Sequence, residues 1–252
     1  MYPGVWVAWV ALSLLGAALS LLVRRRDRER EPGERRAEHL WQKYGTYLAI
    51  TGGVLYLGSR GPRVFKSVIS LAGMGMWGEL SRAVAPVGHA TTRRLLKGIG
   101  GAFIVVGMAS LLAIRNLDLT GNSWGWFWLV VGTTDAYSQL FGQAFGAARM
   151  VPRLSPGKTW VGFFAGTTAA VLVGVMLTYV LSPGRPFMAL VAALATSLAA
   201  TAGDLLESWM KRVIGIKDFS RLLGHHGGLL DRFDSLLGAA PAFVYLLASY
   251  LR

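Results

Sequence analysis

Eight long apolar segments recur along this chain of 252 residues, and they restrict its fold more than any other feature of the sequence. They lie at about 3–23, 44–59, 64–81, 98–115, 124–142, 160–181, 187–206 and 235–251. Each is continuously apolar rather than alternating, and several approach the roughly 20 residues that cross a bilayer as a helix. Only 15% of the residues are charged, whereas soluble domains carry about a quarter. We therefore predict an all-α polytopic membrane protein with about eight transmembrane helices, or seven to nine because three segments are short.

Lysine and arginine predict the orientation of these spans. The loops near 24–43, 82–97, 149–158 and 207–234 hold 20 of the 26 basic residues. The positive-inside rule places these loops in the cytoplasm and both termini outside, in the inner membrane if the source is bacterial. Because the basic excess lies in loops between spans, the net charge of +13 does not indicate nucleic-acid binding. The first span has its basic run after it rather than before it, so we predict a retained span and not a cleaved signal peptide.

Acidic residues are concentrated near the C-terminal end. Five of the 13 fall within 31 residues, namely Asp204, Glu207, Asp218, Asp231 and Asp234. An ionisable residue costs roughly 2.5–3.5 kcal/mol at the membrane centre on insertion scales, so a cluster at a span end indicates a use such as cation binding. Asp204, Ser208 and Lys211 share one helical stripe, and Asp231 and Asp234 share a face at the start of the last span. Helix capping would explain the last two but not Asp204. Oxygen ligands in this arrangement suit Mg²⁺.

Basic residues and glycines in the same stretch predict a phosphate site beside these acids. The basic residues are Lys211, Arg212, Lys217 and Arg232, with Lys158 after Ser155-Pro156-Gly157 in the preceding cytoplasmic loop. Gly227 and Gly228 allow backbone amides to approach an anion closely. We expect His226 to contact phosphate or ribose, because two adjacent histidines in a chain without cysteine do not make a zinc site.

Two further patterns concern the packing of the spans. Gly142 with Gly146, and Gly162 with Gly166, stand at the small-xxx-small spacing that favours close helix packing. Trp124, Trp126 and Trp128 lie beside a predicted outer loop, and we interpret them as an interfacial aromatic belt.

The stretch from Gly203 to Ser235 contains an ordered set of motifs. It reads S-x-x-K-R-x4-K-D from Ser208 and H-G-G-x-x-D-R-x-D from His226. This pattern closely resembles the signature of the phosphatidate cytidylyltransferases (CDP-diacylglycerol synthases). The segment 155–160 is similar to the S-P-x-K-T segment of that family, and Asp135-Ala136-Tyr137 is similar to an earlier aspartate-containing span. The likeness covers residues from about 133 to 237, so we expect a catalytic transmembrane region at 131–252. Residues 1–130 match only in being apolar spans.

The resemblance implies a reaction of CTP with phosphatidate that gives CDP-diacylglycerol and pyrophosphate, in phospholipid biosynthesis. It implies that Asp204, Asp231 and Asp234 bind Mg²⁺ and, with Lys211, form the catalytic group; a second metal ion is left open. The residues expected to bind substrate are Asp135, Ser155, Lys158, Thr159, Ser208, Arg212, Lys217, Asp218, His226, Gly227, Gly228 and Arg232. The expected partners are CTP, phosphatidate and membrane lipids, with homodimer formation left open.

Three other functions are compatible with parts of this pattern. A cytidylyltransferase for another lipid phosphate, such as an isoprenoid ether lipid, would have the same motifs, because lipid specificity would depend on the unmatched spans. A CTP-dependent lipid kinase would transfer the γ-phosphate and leave CDP. A cation or proton transporter would use intramembrane carboxylates, but it predicts acids deep within spans rather than at one edge beside lysines and a double glycine.

Overall fold

Helices dominate the structure, a computed structural model that describes residues 3–28, 40–118, 122–181, 186–222 and 227–250. The helices in these ranges are α1 (Pro3–Arg28), α2 (Leu40–Ser59), α3 (Pro62–Val84), α4 (Ala90–Leu117), α5 (Asn122–Phe145), α6 (Trp160–Leu181), α7 (Pro186–Ile214) and α8 (Leu230–Tyr250). Each predicted apolar segment falls on one helix, which confirms the helix positions. Among the described residues, four helices are long and apolar enough to cross a membrane, in α1, α4, α6 and α7. The all-α membrane class is therefore confirmed, while the count of eight spans stays a prediction.

A short antiparallel hairpin joins α5 to α6, which the all-α prediction did not include. Strand β1 (Arg149–Val151) pairs with β2 (Ser155–Thr159), and the register is irregular between the two paired positions. The Trp160 amide donates to the Ala148 carbonyl at 3.1 Å, so α6 begins directly where the hairpin closes. The hairpin occupies the basic loop predicted at 149–158.

Large apolar side chains are exposed on the outer faces of several helices. Leu14, Met74, Val105, Phe164 and Met176 are each more than 60% exposed. Extensive exposed apolar surface is rare on soluble monomers and marks contact with a membrane or a partner. This distribution agrees with the membrane class, because lipid-facing side chains need no protein cover.

The first of two compact units comprises Met1–Ser59 and Thr120–Leu194. In this unit, α5 and α6 pack against each other at glycines whose spacing predicts close helix packing. A Cβ atom placed on Gly162 would lie 3.2 Å from the Gly142 Cα atom, and one on Gly166 would lie 2.8 Å from the Ser138 amide nitrogen. The prediction that these glycines serve close helix packing is confirmed.

The three tryptophans of α5 do not form an aromatic belt, so that interpretation is wrong. Their side chains are at most 7% exposed. The indole N–H groups of Trp124, Trp126 and Trp128 donate to the backbone carbonyls of Val54, Gly174 and Thr51, respectively. These carbonyls belong to α2 and α6, so the tryptophans connect helices inside the unit.

The second unit comprises Arg60–Leu119 and Ala195–Arg252, and in it α7 and α8 approach each other at two glycines. A Cβ atom on Gly238 would lie 2.5 Å from the Gly203 Cα atom and 2.7 Å from the Ala199 carbonyl oxygen. Only glycine permits such backbone proximity. The two units divide the chain differently from the predicted boundary near residue 130, which concerned the extent of a resemblance and stays a prediction.

Candidate active site

Three carboxylates meet where α7 and α8 approach each other. Asp204 and Glu207 of α7 and Asp234 of α8 each offer an oxygen atom within 4.8 Å of the other two. Gly203 precedes Asp204 directly, and Gly238 follows Asp234 by one helical turn. The close backbone approach of the two glycines therefore determines how near the carboxylates come to each other. Asp204 and Asp234 were predicted as metal ligands, whereas Glu207 was noted only as part of the acidic cluster.

The environment of Glu207 fits a metal ion. Its side chain is fully buried, and Oε2 lies 2.5 Å from Lys211 Nζ. Within the described residues, neither carboxylate oxygen accepts a hydrogen bond of good geometry. Two like charges within 4.8 Å of each other repel by at least about 3.5 kcal/mol at an effective dielectric constant of about 20. Three carboxylates converge, and carboxylate oxygens are the ligands that a hard divalent cation prefers. Lys211 Nζ neutralises part of their charge beside Glu207.

Asp231, the remaining predicted metal ligand, binds groups of the protein itself. Its Oδ2 atom accepts hydrogen bonds from the amides of Phe219 at 2.9 Å and Gly228 at 2.8 Å, and Oδ1 accepts one from Lys211 Nζ at 3.0 Å. Asp231 thus anchors the loop between α7 and α8, and its role as a metal ligand stays a prediction.

Lys211 lies between two carboxylates, close to the end of α7. Its Nζ atom contacts both Glu207 and Asp231, so one ammonium group connects the carboxylate cluster to the loop anchor. Two members of the predicted stripe along α7 are in contact, since the Ser208 hydroxyl donates to Asp204 Oδ1 at 3.4 Å one turn earlier. The third member, Lys211, contacts Glu207 of the same helix instead.

The end of α7 is fixed by a glycine turn. Gly215 has a φ angle of +81°, and the amides of Gly215 and Ile216 donate to the carbonyls of Arg212 and Lys211. This pattern is a Schellman motif, which terminates a helix through a left-handed residue. The motif gives the loop that begins at Gly215 a defined direction, about one helical turn after Lys211.

The double glycine contacts anions, but these anions belong to the chain. Gly227 has a φ angle of +77°, and the Gly228 amide binds Asp231. The next two amides, of Leu229 and Leu230, donate to the carboxylate of Glu79 at 3.0 and 2.9 Å. The Gly228 amide thus binds a carboxylate of the chain itself, and the binding of a substrate phosphate by Gly227 and Gly228 stays a prediction.

The other predicted substrate-binding residues are distributed over both units. Arg212, Lys217, Asp218 and Arg232 are exposed in the second unit, beside or on the loop that follows α7. In the first unit, Asp135 is exposed on α5, Ser155 and Lys158 are half-buried on β2, and Thr159 is buried. The Thr159 hydroxyl accepts the Gly162 amide at 3.1 Å, which is the contact of a helix N-cap. His226 lies outside the described residues.

Two carboxylates of the second unit were not predicted as site residues. Glu207 was visible as one of the five clustered acids, but spacing alone did not indicate that it faces Asp234. Glu79 lies inside the predicted span at 64–81, and an ionisable residue in an apolar span is itself a signal of function. Its partners are about 150 residues away in the sequence, so no local pattern connects them.

Comparisons of this chain with a family model and with individual proteins lead to the same family. Residues 3–250 match the family model described as the cytidylyltransferase family. A phosphatidate cytidylyltransferase of Brucella abortus is 42% identical over 120 residues, which are 48% of this chain and 44% of that protein. One from Bacillus subtilis is 35% identical over 59% of this chain and 57% of its own length. One from Rickettsia bellii is 27% identical over 83% and 94%. The chain thus spans less than half the length of the Brucella relative that it matches.

Proposed function

We propose, from the membership of this chain in the cytidylyltransferase family, that it transfers CMP from CTP to phosphatidate and forms CDP-diacylglycerol and pyrophosphate. The observation that carries this proposal is the group of three carboxylates, Asp204, Glu207 and Asp234, beside Lys211 at the end of an apolar helix. A cation-binding oxygen cluster next to basic side chains has the charge pattern that a nucleoside triphosphate requires.

The reaction needs no covalent intermediate with the protein. A phosphate oxygen of phosphatidate attacks the α-phosphorus of CTP and forms the new P–O bond. The bond between that phosphorus and the oxygen atom that bridges it to the β-phosphorus breaks. Pyrophosphate leaves with the electron pair of this bond. Phosphoryl and nucleotidyl transfers of this kind depend mainly on positioning and on neutralising charge. The protein therefore needs to align two anionic substrates rather than supply a nucleophile.

The roles of the residues follow from their positions in the second unit. Asp204, Glu207 and Asp234 would hold Mg²⁺, together with Asp231 as the family resemblance implies. When bound, Mg²⁺ neutralises phosphate charge and stabilises the leaving group. Lys211 keeps Glu207 and Asp231 in place through two ion pairs. The exposed side chains of Arg212, Lys217 and Arg232 are suited to bind phosphate oxygens from solvent.

We place this site at the cytoplasmic face of the membrane. The loop between α7 and α8 is one of the four basic loops, and the positive-inside rule assigns such loops to the cytoplasm. CTP is a cytoplasmic metabolite with several negative charges that does not cross a bilayer unaided. The orientation from charge and the requirement for the nucleotide therefore agree.

The direct test is an assay of the purified full chain with Mg²⁺, phosphatidate and CTP labelled at either the α- or the γ-phosphate. We expect α-label in a CDP-lipid and γ-label in pyrophosphate, and neither product with Asp204→Asn. Transfer of γ-label to the lipid would contradict the proposal and indicate a lipid kinase. Turnover of an isoprenoid ether lipid phosphate in preference to phosphatidate would correct the substrate. Ion flux in proteoliposomes without any nucleotide product would indicate a transporter.

A further inference from the structure

Glu79 of α3 is a buried carboxylate that binds the loop between α7 and α8. Its side chain is 1% exposed, and it accepts three hydrogen bonds from that loop. The donors are the Ser220 hydroxyl at 2.6 Å, the Leu229 amide at 3.0 Å and the Leu230 amide at 2.9 Å. Leu229 and Leu230 stand at the N-terminus of α8, where amides have no partner within the helix. Glu79 therefore caps α8 from a different helix and holds the middle of the loop at the same time.

Gly228 makes this arrangement depend on one residue type. A Cβ atom at Gly228 would lie 2.6 Å from each carboxylate oxygen of Glu79. The second glycine of the pair is thus required by the close approach of the Glu79 carboxylate to the backbone. The neighbouring Gly227 has the positive φ angle that turns the chain into this position.

The loop that Glu79 holds also supplies the contacts of Asp231. The amides of Phe219 and Gly228 bind Asp231, whose other oxygen binds Lys211. Lys211 in turn contacts Glu207 in the carboxylate cluster. A single chain of contacts therefore leads from Glu79 through the loop to the proposed metal ligands.

From this chain of contacts, and resting on the proposed function, we propose that Glu79 is a positioning residue for the transfer reaction. It acts through the loop and Asp231, which it keeps at the distance that Lys211 and the carboxylate cluster require. Its charge is essential to this role, because three donors converge on one carboxylate. A glutamine would retain the size of the side chain but replace one acceptor oxygen with an amide donor that faces N–H or O–H groups.

The test compares wild-type protein with Glu79→Gln, and uses Arg82→Gln as the matched control. Arg82 lies on the same helix, is exposed, and donates a hydrogen bond to the Gly78 carbonyl one turn before it. In Glu79→Gln we expect kcat to fall roughly 10- to 100-fold, the range seen when a residue supporting a metal site is removed. We also expect a higher Mg²⁺ concentration for half-maximal rate and faster amide hydrogen exchange in the peptide 219–231. Arg82→Gln should behave as wild type in all three measurements.

Several outcomes would overturn the proposal. Wild-type kcat and Mg²⁺ dependence in a folded Glu79→Gln protein would show that the residue has no positioning role. If this variant does not purify in a folded state, Ser220→Ala removes one donor and leaves the carboxylate intact. An unchanged Mg²⁺ dependence in Ser220→Ala then overturns the proposal. If the wild-type protein forms no CDP-lipid, the proposed function fails, and hydrogen exchange at 219–231 still decides whether Glu79 holds the loop.

Discussion

Replacing Gly238 with alanine should separate the proposed metal ligands without altering any of them. The new Cβ atom would lie 2.5 Å from the Gly203 Cα atom and 2.7 Å from the Ala199 carbonyl oxygen, whereas ordinary contacts begin at 3.4 Å. Both neighbours are backbone atoms that no rotamer change can move. The difference from 3.4 Å means that α7 and α8 must separate by about 0.7–0.9 Å at this point. Asp234 lies one turn before Gly238, so it moves away from Asp204 and Glu207 by a similar distance.

This displacement is large compared with the tolerance of a metal site. Mg²⁺–oxygen bonds are about 2.0–2.1 Å long and need nearly ideal octahedral geometry. A misplacement of about 1 Å can cost roughly 100-fold in rate. We therefore expect Gly238→Ala to lower the Mg²⁺-dependent formation of CDP-lipid about 100-fold. Overpacking should also reduce stability by about 1–3 kcal/mol, which a thermal unfolding experiment in detergent measures.

Gly98→Ala is the matched control for this prediction. Gly98 lies in α4 of the same unit, and a Cβ atom there would have nothing within 4 Å. Since alanine favours a helix over glycine by about 1 kcal/mol, this variant should keep its activity and unfold at the same or a higher temperature. If Gly238→Ala retains wild-type activity and Mg²⁺ dependence, the reasoning that the glycine contact determines the carboxylate spacing is refuted.

Two further predictions concern the ligands and the orientation. Glu207→Gln and Asp204→Asn should each lower the binding of Mn²⁺, used in place of Mg²⁺, and abolish turnover. Both proteins should still fold, because Lys211 keeps its ion pair with Asp231 in Glu207→Gln and neutralising Asp204 near a bilayer is not costly. Wild-type Mn²⁺ affinity in Glu207→Gln would exclude Glu207 from the site. Because the chain has no cysteine, a thiol introduced at exposed Leu222 should react with an impermeant maleimide only after cells are permeabilised, and one at Gly61 without permeabilisation. Labelling of Leu222→Cys in intact cells would place the loop on the wrong side for CTP.

The sequence by itself determined the helices and one face of the site. Continuous apolar runs located the eight helices of the described residues. A helix in lipid satisfies its own backbone and leaves an unbroken apolar signature, as α1, α4, α6 and α7 do. Helical periodicity placed Asp204, Ser208 and Lys211 on one face of α7, and the structure shows the contact between Asp204 and Ser208. The packing role of the glycine pairs of α5 and α6 could also be predicted, because their four-residue spacing is a property of a single helix.

Only the tertiary structure decided which groups meet across helices. Glu207 lies with Asp204 and Asp234, because the rotation of each helix about the Gly203–Gly238 contact selects which side chains face each other. Glu79 bonds to amides about 150 residues away, and a contact at that separation leaves no periodic pattern in the chain. The tryptophans of α5 show the same limit. Tryptophan side chains are common at a membrane interface, but the positions of these three depend on carbonyl groups that neighbouring helices supply.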